Sequence, residues 1–304
     1  MPNAFTGTGA VAWDQTAFNR YLFFAFREMN TYDSVADVKP TAQMTPGAHV
    51  TFFQVNDLTP ISTALDESTD VDAVALSDTT VTVDLVERGA AVISTALLQL
   101  TSMIPVDPAI TNILGEHAAK SLDVVARDVL KVNSNVGYSP DATTGVRAAD
   151  RAHLTPNTKL SSADYRFAFN RLRRGTVPMR NGYYDAITHP DALYDLRTET
   201  GGLGWMALHT YTESGVSDIN QGAGYFGIYE GFRTMQTVWA PIFADTGSSP
   251  ATTDVYRTHF LGQQALAKGY ANSNGYGESP ITVKGPVTDK LERLQPWGWK
   301  HFVG

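Results

Sequence analysis

Seven histidines and 31 carboxylates, with no cysteine, set the chemistry open to this 304-residue chain. Without cysteine there is no disulfide framework, no thiolate metal site and no cysteine nucleophile. The histidines, His49, His117, His153, His189, His209, His259 and His301, are scattered, and none falls in an H-E-x-x-H or related ligand spacing. His117 adjoins Glu116, but its apolar neighbours mark it as a buried, satisfied histidine rather than a general base. Carboxylates are plentiful, yet no spacing sets two of them about 5 to 9 Å apart, as glycoside hydrolysis requires. Neither a G-x-S-x-G elbow nor a P-loop is present. One G-x-G-x-x-G runs from Gly222 to Gly227, but Ile228-Tyr229-Glu230-Gly231-Phe232 after it reads as strand and turn. A dinucleotide site needs a helix N-terminus there to meet the phosphate. Gly7-Thr8-Gly9-Ala10-Val11-Ala12 fits a looser version, with no strand before it. An acid/base hydrolase is therefore a distant alternative, and no cofactor or metal is expected.

Composition narrows the class. Lys and Arg number 23 against 31 Asp and Glu, a net charge of −8, which argues against a coat that neutralises phosphates. Hydrophobic residues make up 43% and charged residues 18%, the balance of a folded chain with a core. The length fits about two domains of roughly 150 residues. The longest apolar run, Tyr21 to Phe26, is far too short for a membrane span, and Met1-Pro2-Asn3-Ala4 carries no basic secretory segment. The expectation is a soluble cytosolic product with no membrane partner.

The elements that position these residues can be read from periodicity. Residues 13 to 29 keep helical spacing with a wide aromatic face, including Phe18, Tyr21, Leu22 and Phe26. So aromatic a helix needs cover, from its own core or from a neighbouring subunit. Val50 to Val55 and Val81 to Leu85 read as two strands of a long hairpin. No Lys or Arg occurs between Lys39 and Arg88, while eight acids do: Asp57, Asp66, Glu67, Asp70, Asp72, Asp78, Asp84 and Glu87. Such a run repels itself unless it is solvated or meets a basic surface.

Residues 107 to 132 read as a long helix with Asp107 as N-cap and Pro108 in its first turn. Ile110, Ile113, Leu114, His117, Ala118, Leu122, Val125 and Val129 mark its apolar face, and Lys120, Asp123, Arg127, Asp128 and Lys131 its polar face. A helix from Ser161 to Gly175 opens with the capping-box partner Asp164. It carries Arg166, Arg171, Arg173 and Arg174, and Arg180 follows, with no acid between Asp164 and Asp185. A strand at 183–188, a helix from Pro190 to Gly201 and strands within 224–239, 253–260 and 264–271 come next. The tail holds Trp297, Trp299 and Phe302.

Several phrases in this order carry a family resemblance. They are Ile187-Thr188-His189-Pro190-Asp191 with Tyr194-Asp195-Leu196-Arg197, then Trp205, His209-Thr210-Tyr211 and Gly227-Ile228-Tyr229-Glu230-Gly231-Phe232-Arg233. Leu65-Asp66-Glu67, Val81-Thr82-Val83 and Gly89-Ala90-Ala91-Val92 precede them, and Trp299-Lys300 follows. The set resembles tailed-bacteriophage major capsid proteins of the branch typified by the podophage N-four. One departure is Glu67-Ser68-Thr69-Asp70, where that family often has Glu-Gly-x-x-Pro.

The resemblance implies the Johnson fold of the Hong Kong ninety-seven type, an α+β architecture. Residues 1–40 would be an N-arm with its aromatic helix, and 41–90 an extended-loop β-hairpin reaching over a neighbour. Residues 91–132 and 281–304 would form a peripheral domain with a long spine helix, and 133–280 mainly an axial domain. It implies pentamers and hexamers of one chain, tiling an icosahedral shell in the virion around double-stranded DNA without sequence-specific binding. Assembly would take place in the cytoplasm of a bacterial host, with portal, scaffold or decoration proteins as further partners. An encapsulin-like cellular nanocompartment shell of the same fold is the alternative. The residues expected at subunit interfaces are Phe18, Tyr21, Leu22 and Phe26 on the arm, Asp66, Glu67, Asp70 and Asp72 on the hairpin, and Arg166, Arg171, Arg173 and Arg174.

Overall fold

The computed structural model describes residues 31–40, 49–102, 106–199, 225–248, 253–272 and 277–304, apart from 63, 65, 66, 69, 71, 72 and 288. The helix expected over 13–29, with Phe18, Tyr21, Leu22 and Phe26, lies outside these residues. So do Asp66 and Asp72, Trp205 and the segment His209 to Tyr211.

A short 3-10 turn at Asp33–Val35 leads into β1 (Asp37–Pro40). The hairpin follows as β2 (His49–Val55) and β3 (Asp78–Asp84), paired antiparallel with Val50 opposite Val83 and Phe53 opposite Thr80. The sequence places this hairpin correctly. Then come β4 (Val86–Thr95), α1 (Ala96–Thr101) and α2 (Val106–Lys131). Thr95 caps α1 by accepting the Leu98 N–H at 3.2 Å.

Helix α2 packs on a five-stranded sheet whose axis is the C-terminal strand. Strand β13 (Leu294–Val303) pairs antiparallel with β4 along its whole length, from Leu294 opposite Thr95 to Val303 opposite Val86. On its other edge it meets β12 (Ile281–Lys284) and, through Tyr270 and Val303, β11 (Ala267–Tyr270). Strand β1 closes that edge by pairing parallel with β11, a contact that no sequence signal announces. Leu98, Val106, Ile110, Leu114, Ala118 and Trp299 form the core between α2 and the sheet. At ~1.5–3 kcal/mol for each large side chain fully removed from water, this layer secures the helix without help from its exposed face.

Four expectations about α2 need correction. Helix α2 already includes Asp107, which is therefore not the N-cap; its carboxylate instead accepts from Gln99 Nε2 at 3.0 Å. Asp123, placed by periodicity on the polar face, is buried and accepts the backbone N–H groups of Tyr32 and Asp33 at 2.7 and 3.1 Å. His117 is exposed rather than buried, yet it is satisfied, because its Nδ1 accepts the Trp299 indole N–H at 3.0 Å. Ile113 and Val129, assigned to the apolar face, are also exposed.

The second layer begins at α3 (Ser162–Arg174), opened by the expected capping box of Ser161 and Asp164. It continues through β5 (Tyr184–Thr188) and α4 (Pro190–Thr198), where His189 accepts the Asp191 N–H. Strands β6 (Tyr225–Tyr229) and β7 (Phe232–Gln236) form a tight hairpin. Its two turn residues, Glu230 and Gly231, sit at φ 47° and 80°, the left-handed pair a two-residue turn needs. Strands β8 (Ile242–Phe243) and β9 (Val255–Tyr256) pair with each other, and β10 (His259–Leu261) pairs with β5. The resulting sheet runs β10-β5-β7-β6, with β5 and β7 parallel. Tyr165, Tyr184, Leu193, Leu196, Tyr229 and Phe232 fill its core, and Tyr165 meets Tyr229, Phe232 and Phe260 edge-on. Tyr32, Val35, Leu130, Ile187 and Leu261 join the two layers.

Candidate subunit interface

The β2–β3 hairpin is fastened only at its root. Val50 is buried against Gly269, where a Cβ would come within 2.9 Å of the Val50 side chain, so the close approach requires glycine. Lys39 donates its ammonium to the Thr51 carbonyl at 2.6 Å and lies over the rings of Phe52 and Phe53. His49 and Asp84 pair across the strands at 2.6 Å. Further out, Asn56 and Ser77 tie the strands together through backbone and side chain before the tip begins.

Beyond the root no second layer is present among the described residues. Phe53, Val55, Ile61 and Leu76 are 69, 68, 71 and 71% exposed, and Leu58, Val74 and Val81 are exposed too. A two-stranded ribbon has too little surface of its own to cover such side chains. An exposed apolar set of this size marks an interaction surface. The sequence names the acids of this arm as interface residues but not its apolar side chains, which it places only as strand residues. The signal was present in the alternation of Val81 and Val83, with no neighbouring segment to supply a facing layer. Among the expected acids, Glu67 and Asp70 are exposed on the tip, and Asp66 and Asp72 lie outside the described residues.

The structure divides the expected basic segment. Arg166 reaches Glu230 at 3.5 Å and the Ser162 hydroxyl at 2.9 Å, and Arg171 donates to the Asn135 side-chain oxygen at 2.5 Å. Arg180 is committed inside the chain, to the Val35 carbonyl and to Asp37. Arg171, Arg173 and Arg174, toward the C-terminal end of α3, stand exposed without an ion pair among the described residues, and Arg173 lies 5.9 Å from the Phe169 ring. The set is thus partly a network internal to the protomer. Among the described residues no group of three or more His, Asp and Glu converges as metal ligands would, and no helix is long and apolar enough to cross a membrane.

The described residues thus form a packed two-layer α+β body that carries an exposed, apolar and acidic ribbon. The chain belongs to the phage capsid protein family, whose model matches residues 10–304. It is similar in structure to the capsid protein of Ralstonia phage GP4, at 17% identity and a TM-score of 0.74, over 100% of this chain and 92% of that one. It also resembles the capsid of cyanophage Pam1, at 14% identity and TM-score 0.58 over 100% and 94%, and that of a native GTA particle, at 10% and 0.61 over 99% and 94%. No curated protein matches the sequence. The fold is the Hong Kong ninety-seven type that the sequence phrases implied, and the protein is a structural capsid protein.

Proposed function

We propose that this chain is the major shell subunit of a tailed-phage virion. It self-assembles into pentamers and hexamers that tile an icosahedron around double-stranded DNA. Residues 1–40 act as the N-arm and 41–90 as the extended loop. Residues 91–132 with 281–304 form the peripheral domain, and 133–280 form mainly the axial domain. The carrying observation is the hairpin, whose apolar side chains are bare among the described residues, as those of a segment covered by a neighbour would be. The net charge of −8 supports a shell that encloses DNA without gripping its phosphates. Assembly takes place in the bacterial cytoplasm, with portal, scaffold or decoration proteins as partners.

In this reading the acids Asp66, Glu67, Asp70 and Asp72 face a basic surface of the adjacent subunit that includes Arg173 and Arg174. Exposed pairs contribute about 0–1 kcal/mol each, so their role is register and encounter rate, while the apolar residues supply affinity. The arm residues Phe18, Tyr21, Leu22 and Phe26 bind a neighbour as well. Negative-stain microscopy of the purified protein tests the reading: closed shells of uniform size are expected, and a dispersed monomer at every concentration overturns it. Deleting residues 1–30 should leave folded capsomers that fail to close.

A further inference from the structure

A cavity of about 590 Å³ opens between α3, the 133–160 loop and the 253–261 segment. Small-molecule pockets span ~300–1,000 Å³, mostly apolar with a few convergent polar groups. Leu130, Leu154, Leu160, Leu172, Val177 and Leu261 give this one an aliphatic wall. Its three phenyl rings are already engaged. Arg151 lies 3.6 Å from the Phe243 ring centre and Arg147 4.0 Å from that of Phe167, while Phe260 packs on Tyr165 and Phe232. The wall therefore suits an alkyl chain better than a flat ring.

The polar groups converge beside Phe243. Besides Arg151, the Lys131 ammonium and the Arg257 guanidinium stand 5.1 and 5.7 Å from its ring centre. Arg257 donates to the carbonyls of Lys131 and Asn133, and no described carboxylate pairs with Arg151, Arg257 or Lys131. The acids that line the cavity are engaged elsewhere: Asp164 with Arg147, Asp195 with Lys159, and Asp254 with the Asp245 N–H. Burial and the neighbouring charge of Arg151 both act against the charged form of Arg257. Buried His259 lines the cavity as well. Its Nδ1 meets the Tyr32 hydroxyl at 3.2 Å, and its Nε2 has no hydrogen-bond partner among the described residues. With the Tyr32 hydroxyl donating to Nδ1, the ring proton sits on Nε2 and lacks an acceptor. Like charges held together at a partly dry site are stabilised when an anion bridges them.

We propose that this cavity binds a single-chain alkyl carboxylate of the fatty-acid class, with its head on Arg151 and Arg257 and its chain along the leucine wall. The two oxygens of a carboxylate offer about four acceptor positions, enough for a guanidinium fork and one further donor. A free inorganic anion would match the cations but leave the wall of Leu130, Leu154 and Leu172 without an apolar partner. The site lies within one chain, so the inference is independent of the shell reading.

The test is calorimetric titration of the unassembled full-length protein with dodecanoate below its micelle concentration. Saturable binding of one molecule per chain is expected. Arg151→Ala should weaken it about tenfold or more, because a hydrogen bond between charged groups is lost. Arg174→Ala, exposed on α3 outside the cavity, should change it about twofold or less. Dodecanol, the same chain without the charge, should bind the wild-type protein about tenfold more weakly or worse, a result that needs no variant to fold. Phe53→Ala, on the bare hairpin, should leave the affinity unchanged. Absence of saturable binding, equal binding of the alcohol, or loss with Phe53→Ala but not with Arg151→Ala overturns the proposal. Tighter binding of naphthoate, a flat aromatic carboxylate, overturns the alkyl assignment. Sedimentation of the protein with phosphatidylglycerol vesicles while free dodecanoate does not bind would point to a lipid surface and overturns it too.

Discussion

Strands β3 and β5 have comparable β-forming sequences and opposite fates. All five residues of β5 are buried, under α3 and α4 and between β10 and β7. Six of the seven residues of β3 are exposed, because beyond the hairpin root β2 is its one strand partner among the described residues. Strand propensity alone therefore does not make a side chain contribute to the protomer's own stability; a facing layer does. In β5 that layer is intramolecular. In the hairpin no such layer is present among the described residues.

The comparison can be broken most directly by truncating one aromatic from each region. Phe232→Ala, in the α3–α4 core, should destabilise the dilute protomer by ~3–5 kcal/mol in urea unfolding. Phe53→Ala should change the same measurement by less than ~0.5 kcal/mol, yet lower the yield of shells. Similar losses in both variants would mean that the hairpin is covered within the protomer after all.

A second effect lies where the layers join. Burial, then the charge of Arg257, lowers the pKa of His259 from 6.5 to about 4. The native state then binds fewer protons than the unfolded chain between those values, so this contribution is intact above pH 6.5 and is lost as pH falls toward 4. At ~1.4 kcal/mol per unit the span amounts to about 3 kcal/mol. His301, lowered by burial and by Lys268, adds to the same slope. Unfolding of His259→Gln across this range should show a shallower pH dependence, and an unchanged slope would remove His259 from the account.

Two smaller effects sharpen the picture. Asp123→Ala strands the buried N–H groups of Tyr32 and Asp33 and should cost ~1–3 kcal/mol, as read by thermal unfolding. Ser161→Ala removes half of the α3 capping box and should cost ~1 kcal/mol by the same measurement. Smaller still is the salt effect on assembly rate. The rate should fall as ionic strength shortens the Debye length to ~8 Å at 0.15 M. Arg173→Glu with Arg174→Glu should slow assembly at low salt, and Asp70→Lys with Asp72→Lys in the same chain should partly restore it. A rate indifferent to the reversal would mark the tip acids as a solvated face.

Local signals carried the sequence reading furthest where structure is local. The long helix and the capping box of α3 depend on residues within a few positions of one another, as does the alternation within each hairpin strand, and the sequence places each to within a few residues. Asp123 was misplaced because its partners, the N–H groups at 32 and 33, lie some 90 positions upstream, beyond any periodicity. The parallel pairing of β1 with β11 escaped for the same reason. The arginine run looked like one surface, but Arg166 and Arg180 are spent on Glu230 and Asp37, distant in sequence and adjacent in space. The cleft around Phe243 gathers Lys131, Arg151 and Arg257 from three separate stretches, and no motif joins them.

The full-length pairing of β13 with β4 also has a meaning in time. Its partners are about 200 residues apart, so at roughly 5–20 residues per second β4 leaves the ribosome many seconds before β13 exists. Until then the α2 layer lacks Trp299, and the hairpin root lacks the Gly304 backbone that abuts Asp84 and bonds Gly269. The hairpin therefore gains its rigid base only once residue 304 has been made. Long-range closure of this kind also makes folding slow, so the ribbon is exposed on the nascent chain before its base can form.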